Sequence, residues 1–253
     1  MKQKIAIFYT LGQYEEWWED EFFIPQMDLL KKTGLYDACD FIDISIINKG
    51  KEKKPLPYIL NKVKNIAFMD AVKGKEGDEQ KLRMWEFCMK NPEYKIFHFH
   101  TNGMGSINDP DSKEKKDALN NFMNFCNIEL WRECVNLLNW YDCVGAHALK
   151  NATYYGGDEP INIYGPHFPG DFWWANASYI SKLNPNFLSQ DVSYKYGLVE
   201  LFIGSGNPRV FEFQYLPYNP YFIKTSFSKE ELREKVKKEL EIINDCGTRV
   251  PYP

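Results

Sequence analysis

Two of the four histidines in this 253-residue chain lie two positions apart, at the end of a short apolar run. The run, KIFHFH over residues 95–100, is typical of a strand, so His98 and His100 are predicted to share one face. A Thr-Asn-Gly turn follows, and ligands of open α/β sheets bind beyond the carboxyl ends of strands. The pair therefore indicates a metal or phosphate site, unless one imidazole caps the strand and the other packs in the core.

A second group of candidate residues lies in a stretch rich in Gly, Pro and aromatic residues, over residues 165–176. Adjacent Trp173 and Trp174 point to opposite sides of a predicted strand, so one can be core while the other borders a cleft. Asp171 and Asn176 supply acceptor groups, and glycine lets the backbone approach a ligand closely. The alternative is that this stretch forms only a packed hydrophobic cluster.

The third candidate is Glu200, which enters the apolar run LFIG. Burial of an unpaired carboxylate is costly and raises its pKa, which suits a general base. The alternative is an ion pair with Lys195 or Arg209. An Asp-x-Asp at residues 109–111 could hold Mn²⁺ or Mg²⁺, but it follows a polar loop, so a surface turn is the favoured interpretation.

The elements that must position these residues alternate between strands and helices, which predicts an α/β fold with a mostly parallel sheet. The predicted strands cover residues 5–9, 41–47, 66–72, 95–100, 142–148, 172–176 and 209–213. The predicted helices cover residues 15–32, interrupted or bent near Pro25, 79–90, 113–140 with one break, and 228–243. In the helix at 79–90, the apolar face is predicted from Leu82, Trp85 and Met89. The last helix begins with a capping-box pattern, Ser228 and Glu231, and carries an apolar stripe.

Composition excludes several function classes. The net charge is −4, which argues against a nucleic-acid partner. The six cysteines contain no CxxC spacing, so reduced thiols in a cytoplasmic protein are expected. No signal peptide or membrane-spanning run is predicted. With neither an internal repeat nor a linker, residues 1–253 are expected to form one domain.

Five stretches in order, over about 200 residues, resemble a family of small GT-A-like glycosyltransferases from bacterial surface-polysaccharide clusters and large algal and amoebal viruses. The opening IAIFYT and the GLYDACDFIDISI stretch resemble the family's first strand, helix and second strand. FHFHTNGMGS resembles its "LHTKG" stretch, and LNWYDCVGA its "YDxVG" strand. HFPGDFWWANASYISKL resembles "HFSGNFWWAxxxYIxxL", the most specific match, and VELFIGS resembles "AExWIGS".

The resemblance implies a GT-A-like, Rossmann-like fold and transfer of a sugar from a nucleotide-diphosphate donor to a glycan or other hydroxyl acceptor. It implies a donor site formed by Tyr9, Thr10, His98, His100, Thr101, Asn102 and Gly103. It implies an acceptor or sugar site formed by His167, Gly170, Trp173, Trp174 and Asn176, with one indole stacking on the sugar. The same comparison implies Glu200 as the base of an inverting reaction, with Asp171 as the second candidate. Mn²⁺ or Mg²⁺ is a possible cofactor, with His100 as a ligand.

The chain departs from the family pattern at three places. Asn102 stands where the family has the Lys of "HTKG", which removes a phosphate-binding cation. Asp171 replaces the Asn of "GNFWWA", and the usual "DWR" is present only as Asp117-Ala118-Leu119. Two other functions therefore stay open: a metal-dependent hydrolase built on His98 and His100 with His147 or His167, and a non-catalytic sugar-binding protein. The enzyme hypothesis requires the histidine turn and the tryptophan segment to converge on one cleft.

Overall fold

The computed structural model describes residues 2–13, 19–48, 63–70, 78–101, 110–154, 161–168, 170–189, 200–213 and 228–246. The strands are β1 (Ile5–Gln13), β2 (Phe41–Asn48), β3 (Val63–Asp70), β4 (Lys95–His100), β5 (Cys143–Gly145), β6 (Leu149–Tyr154), β7 (Ile161–His167), β8 (Trp173–Asn176) and β9 (Val210–Glu212). The helices are α1 (Ile24–Lys32), α2 (Leu35–Ala38), α3 (Asp78–Lys90), α4 (Pro110–Asn124), α5 (Trp131–Leu137), α6 (Ala177–Ile180) and α7 (Lys229–Cys246).

Within the described residues, seven strands form one sheet in the order β3-β2-β1-β4-β8-β5-β9. Parallel ladders join β1 to β2 and β4, β2 to β3, and β5 to β9, whereas β8 runs antiparallel to both β4 and β5. Strands β6 and β7 pair separately as an antiparallel ribbon. The predicted α/β class, with a mostly parallel sheet flanked by helices, is confirmed. The ribbon was not predicted, because residues 149–154 and 161–167 lack a run of apolar residues.

Alternating side chains of β1 pack in two separate apolar cores, one on each face of the sheet. Ile5, Ile7, Tyr9 and Leu11 enter the larger core, which α1, α4, α5 and α7 cover. Ala6 and Phe8 enter a smaller core with Met84 and Cys88 of α3. Because β1 lies in the middle of the sheet and is buried on both faces, its sequence is a continuous apolar run rather than a polar alternation.

Helix α3 corrects the predicted apolar face. The buried residues are Gln80, Lys81, Met84 and Cys88, whereas Leu82 is 38% exposed and Met89 53% exposed. The face that packs on the sheet is polar at the start of the helix, because polar side chains on the strands lie opposite it. Helical spacing located this helix and the contact of Trp85 with the smaller core, but it was wrong for Leu82 and Met89.

The C-terminal helix α7 packs on the larger core through Leu232, Val236 and Ile243. Its start is capped as expected, since the Glu231 amide donates to Ser228 Oγ at 3.2 Å. The break predicted within the helical stretch 113–140 is present, because a π-helical turn at Phe125–Glu129 separates α4 from α5. Of the Asp-x-Asp pattern, Asp109 lies outside the described residues, and Asp111 lies in the first turn of α4. Among the described helices, none has the combination of length and hydrophobicity that crossing a bilayer requires.

Candidate functional site

One level of side chains near the carboxyl ends of three neighbouring strands is polar. Thr10 of β1 lies beside Ser45 of β2 and beside His100 of β4 in the two parallel ladders. We call these three residues the polar shelf. The shelf faces α3, because the Thr10 hydroxyl bonds to the Gln80 side-chain oxygen at the start of that helix. Polar groups thus collect at the edge of the sheet where parallel strands end.

Hydrogen bonds also tie the ends of β1 and β4 together. The Gln80 side-chain amide donates to the Tyr9 carbonyl at 2.9 Å, and the Thr101 amide donates to the Thr10 carbonyl at 3.0 Å. The Gly12 amide donates to the Thr101 hydroxyl at 2.9 Å. This part of the carboxyl edge is therefore ordered by its own residues before any ligand binds.

A buried ionic cluster lies beside the shelf, at the junction of β4, β8 and α3. Lys81 Nζ donates to both oxygens of Asp171, at 3.0 and 2.8 Å. His98 Nε2 lies 2.8 Å from Asp171 Oδ2, and the Trp173 indole donates to Oδ1 at 2.7 Å. Lys81 Nζ also lies 4.7 Å from the centre of the Trp173 ring. All four side chains are buried, and every carboxylate oxygen of Asp171 is engaged twice.

The charges in this cluster balance only if His98 is neutral. Burial, and then the positive charge of Lys81, lower the pKa of His98 to about 4. Burial alone would raise the pKa of Asp171, but Lys81 and His98 hold the pKa of that carboxyl well below its usual range. At neutral pH the cluster is therefore a lysine–aspartate ion pair, with a neutral imidazole that donates through Nε2.

His100 is held in one tautomer by the turn that precedes β8. Its ring hydrogen-bonds the backbone of Gly170, and burial lowers the pKa of His100. Nε2 has no hydrogen-bond partner among the described residues, so Nδ1 donates to Gly170. The turn is shaped by positive φ angles of 81° at Gly170 and 51° at Asp171. Nε2 of His100 is buried and keeps a lone pair, which has the chemistry to accept from a hydroxyl or to bind a cation.

A second cation of α3 lies beside the shelf on β2. Arg83 donates from Nε and Nη2 to the two oxygens of Asp43, at 3.3 and 3.0 Å, and from Nη2 to the Ser45 hydroxyl. The Asp43 side chain is 2% exposed, but that of Arg83 is 27% exposed. The carboxylate therefore fixes one edge of a guanidinium that still reaches solvent.

The predicted donor-site residues divide into three sets. Thr10, Thr101 and His100 lie together at the carboxyl edge, and His98 lies beneath them in the ionic cluster. Tyr9 does not belong to the site: its ring is fully buried in the larger core, and its hydroxyl donates to Gln26 at 2.7 Å. Asn102 and Gly103 lie outside the described residues.

The two tryptophans correct the prediction that one of them stacks on a sugar. Both are completely buried, Trp174 in the larger core and Trp173 in the smaller one. The physical reason is that β8 is an interior strand, so both of its faces are covered. The two segments do lie side by side, because β4 and β8 are adjacent and His98 lies opposite Trp173. They meet through buried side chains, so the cleft between them stays a prediction.

Asn176 lies at the opposite edge of the sheet from the polar shelf, so its predicted contact with sugar is also corrected. Its side-chain amide donates to the carbonyls of Leu138 and Tyr141 at 2.8 and 2.9 Å. Its oxygen accepts from Lys95 at 2.6 Å. His167, another predicted sugar contact, is fully buried at the end of β7. These side chains join elements rather than face a cleft.

Of the two predicted bases, Asp171 is excluded by its surroundings. A carboxylate with a lowered pKa, 6% exposed and saturated with hydrogen bonds, is a poor proton acceptor for a bound hydroxyl. Glu200 is half-buried at the start of the helical turn before Phe202–Gly204. The Arg209 alternative is not realised, because that guanidinium makes a two-pronged ion pair with Asp142 at 3.1 Å. Lys195 lies outside the described residues.

Sequence reasoning missed three residues of the site, all on α3: Gln80, Lys81 and Arg83. Lys81, Met84 and Cys88 have the spacing of one helical face, with a lysine where an apolar residue is expected. That spacing was the available signal. Its meaning depends on Asp171, which lies 90 residues further along the chain.

The metal ion stays a prediction, because the described residues alone do not supply a full set of ligands for it. Within the described part of the chain, no three His, Cys, Asp or Glu side chains are grouped to hold a metal ion. The hydrolase alternative required such a group around His98 and His100. A cation held by His100 would need further ligands from a bound molecule.

Comparison with known proteins gives a family match without a described function. A family model described as a domain of unknown function, DUF8361, matches residues 25–195. No curated protein matches the chain.

Two solved structures show a distant similarity. One is 4-diphosphocytidyl-2C-methyl-D-erythritol synthase from Anaerococcus prevotii, with 13% identity, 94% of this chain and 99% of that chain covered, and a TM-score of 0.39. The other carries the same enzyme name, with 8% identity, 95% and 99% coverage, and a TM-score of 0.40. Similarity at this level carries no argument about activity.

Proposed function

The chain belongs to the DUF8361 family, for which no function is described, and we propose from its site and motifs that it is a glycosyltransferase. It would transfer a sugar from a nucleotide-diphosphate donor to a glycan or other hydroxyl acceptor, with inversion. The support comes from the ordered motif resemblance and from the geometry of the carboxyl edge.

The observation that carries this proposal is the position of the polar shelf in the strand order. The chain runs from β1 through β2 to β3 on one side of β1, and then crosses to β4 on the other side. In open α/β sheets this reversal opens a crevice outside the carboxyl ends of the strands, where ligands bind. Thr10, Thr101 and His100 lie at that crevice. A polar, internally ordered edge at this position is the expected form of a nucleotide site.

His100 limits how a diphosphate can be held. Its Nε2 has a lone pair and no proton, so it repels a phosphate oxygen instead of donating to it. We therefore assign it to a donor hydroxyl or to a divalent cation such as Mn²⁺ or Mg²⁺, whose other ligands would include donor phosphates. A bound cation would neutralise charge on the leaving diphosphate.

Glu200 remains the proposed general base after the exclusion of Asp171. Its carboxylate would take the proton of the acceptor hydroxyl while that oxygen bonds to the anomeric carbon. The bond from the anomeric carbon to the donor phosphate breaks at the same time, and the nucleoside diphosphate leaves with the electron pair. Attack opposite the leaving group inverts the anomeric centre.

The experiment is a thermal-shift and calorimetric screen of UDP-, GDP-, dTDP- and CMP-sugars, each with and without Mn²⁺. A ligand of the native state at a hundred times its Kd should stabilise the protein by about 2.7 kcal/mol. Binding of one donor class, followed by sugar transfer to a hydroxyl acceptor, is expected. If no nucleotide-sugar or nucleoside diphosphate binds, the proposed function is wrong.

Replacement of the proposed base tests the mechanism. Glu200→Gln should lower kcat by roughly 100-fold or more and leave donor Kd within a factor of about three, because the amide cannot take a proton. Asp171→Asn is unsuitable for comparison, because it breaks the buried ion pair between Asp171 and Lys81. Unchanged turnover of Glu200→Gln would remove Glu200 from the mechanism.

A further inference from the structure

We propose that Arg83 is the residue that binds the diphosphate of the donor, a role that no motif of the sequence assigns to it. This inference rests on the proposed function. It answers a question raised by the site: Asn102 replaces the expected lysine, and His100 cannot donate to a phosphate through Nε2, so the anion needs another partner.

Helix α3 places two cations on the face of the sheet that carries the polar shelf. They differ in solvent exposure and in how many of their N–H groups are used within the protein. Lys81 is 1% exposed and its ammonium contacts both oxygens of Asp171. Arg83 is 27% exposed and uses only Nε and Nη2 for Asp43 and Ser45. Lys81 is therefore committed to the fold, whereas Arg83 keeps part of its guanidinium for a ligand.

The geometry at Arg83 is that of a guanidinium prepared for an anion. Asp43 holds one edge of the planar group by two hydrogen bonds, which removes most of its rotamer freedom. Nη1 donates to none of the described residues, so two N–H groups remain available. Charge-assisted N–H bonds to phosphate oxygens are among the strong hydrogen bonds of proteins.

The position of Arg83 connects it to the crevice. Its guanidinium bonds to Ser45, and Ser45 lies directly beside Thr10 on the neighbouring strand. Thr10 in turn lies beside His100. A diphosphate over the shelf would therefore have Arg83 on one side and His100 on the other. The two residues would act on different atoms, with Arg83 on phosphate oxygens and His100 on a hydroxyl or a cation.

The test measures binding of the nucleoside diphosphate that the donor screen identifies, of the matching nucleoside, and of inorganic pyrophosphate. A single Arg83→Gln variant would break the ion pair of the buried Asp43, so the main variant is the double replacement Asp43→Asn with Arg83→Gln, which removes both charges of the pair. It should weaken nucleoside diphosphate and pyrophosphate binding by roughly 10- to 100-fold and leave nucleoside binding unchanged. Asp43→Asn alone should keep or raise the diphosphate affinity, because Arg83 then carries an uncompensated charge.

The chain offers a matched control in Asp142 and Arg209, a two-pronged ion pair of the same geometry at the opposite edge of the sheet. Asp142→Asn with Arg209→Gln should leave all three affinities unchanged. Diphosphate binding that survives the Arg83 double replacement, or that falls equally in the control, overturns this inference alone. Absence of diphosphate binding by the wild-type protein overturns the proposed function and this inference with it.

Discussion

At the scale of single residues, the ionic cluster shows how burial and charge decide protonation. Asp171 accepts from Lys81, His98 and Trp173, and only Lys81 and Asp171 are charged, so removal of either of these two would break a buried ion pair. Such losses typically cost about 3–5 kcal/mol. Asp171, which stands where the similar motif "GNFWWA" has Asn, is thus paired with Lys81 on α3. The cluster orders the turn that carries Gly170, and through it the orientation of His100.

The neutral state of His98 predicts a specific dependence of stability on pH. The pKa of His98 is about 4 in the folded chain, and the ordinary value is 6.5. Between these values only the unfolded chain binds the proton. Stability should therefore be complete above pH 6.5 and fall by roughly 3 kcal/mol as the pH drops to about 4.

His98→Gln tests that dependence, because the Gln amide can still donate to Asp171 and does not titrate. Urea denaturation at several pH values between about 7 and 4 should show a shallower loss of stability for the variant than for the wild type. Burial also lowers the pKa of His100, so some slope remains, and His100→Gln should reduce it separately. Equal slopes for wild type and His98→Gln would contradict the neutral assignment.

At the scale of elements, two glycines of the stretches LNWYDCVGA and VELFIGS are required by close packing rather than by chemistry. A Cβ at Gly145 of β5 would lie 2.3 Å from the ring of Phe168, and one at Gly204 would lie 1.5 Å from the Pro166 carbonyl oxygen. The turn at Phe202–Gly204 therefore packs directly on the backbone of β7. That contact sets the position of Glu200, which begins the same turn.

Gly204→Ala should destabilise the protein by about 3 kcal/mol, because the backbone of β7 cannot yield to the new methyl group as a side chain would. Gly206→Ala is the matched control two residues away, where a Cβ would meet the side chains of Leu183 and Tyr179 at 2.6 and 3.0 Å. Those side chains can move, so a loss of about 1 kcal/mol is expected in chemical denaturation. Equal losses for both variants would contradict the backbone contact.

At the scale of the whole molecule, the sheet has two edges with different roles. The carboxyl ends of β1, β2 and β4 carry the polar shelf and the ionic cluster. The other edge carries Asn176 with Lys95, and Asp142 with Arg209, which connect strands to the segment after α5. Polar residues near strand ends have the same appearance in the sequence at both edges. Only the direction of each strand in the sheet decides at which edge a residue lies.

Asn176→Ala tests whether this residue stabilises the fold without contributing to ligand binding. The variant loses the hydrogen bonds to Leu138 and Tyr141 and leaves Lys95 with fewer acceptors, so stability should fall by roughly 1–3 kcal/mol. Donor and acceptor affinities should not change, because the residue lies away from the crevice. Weakened sugar binding at unchanged stability would restore the sugar contact predicted from the motif.

The sequence by itself determined the fold class, because runs such as residues 5–9 and 41–47 alternate with helical patterns, and chain order then favours parallel pairing. It also located the two histidines on one face, through the two-residue period of a strand, and Thr10 directly after the predicted strand at residues 5–9. These properties depend on neighbours along the chain.

Only the tertiary structure decided which of those residues can meet a ligand. The antiparallel insertion of β8 between β4 and β5 buries Trp173 and Trp174 and places Asn176 at the far edge. The packing of α3 on the sheet brings Lys81 to Asp171 and Arg83 to Asp43, partners 90 and 40 residues apart. Burial and charge compensation at such distances depend on contacts between elements, which no local spacing contains.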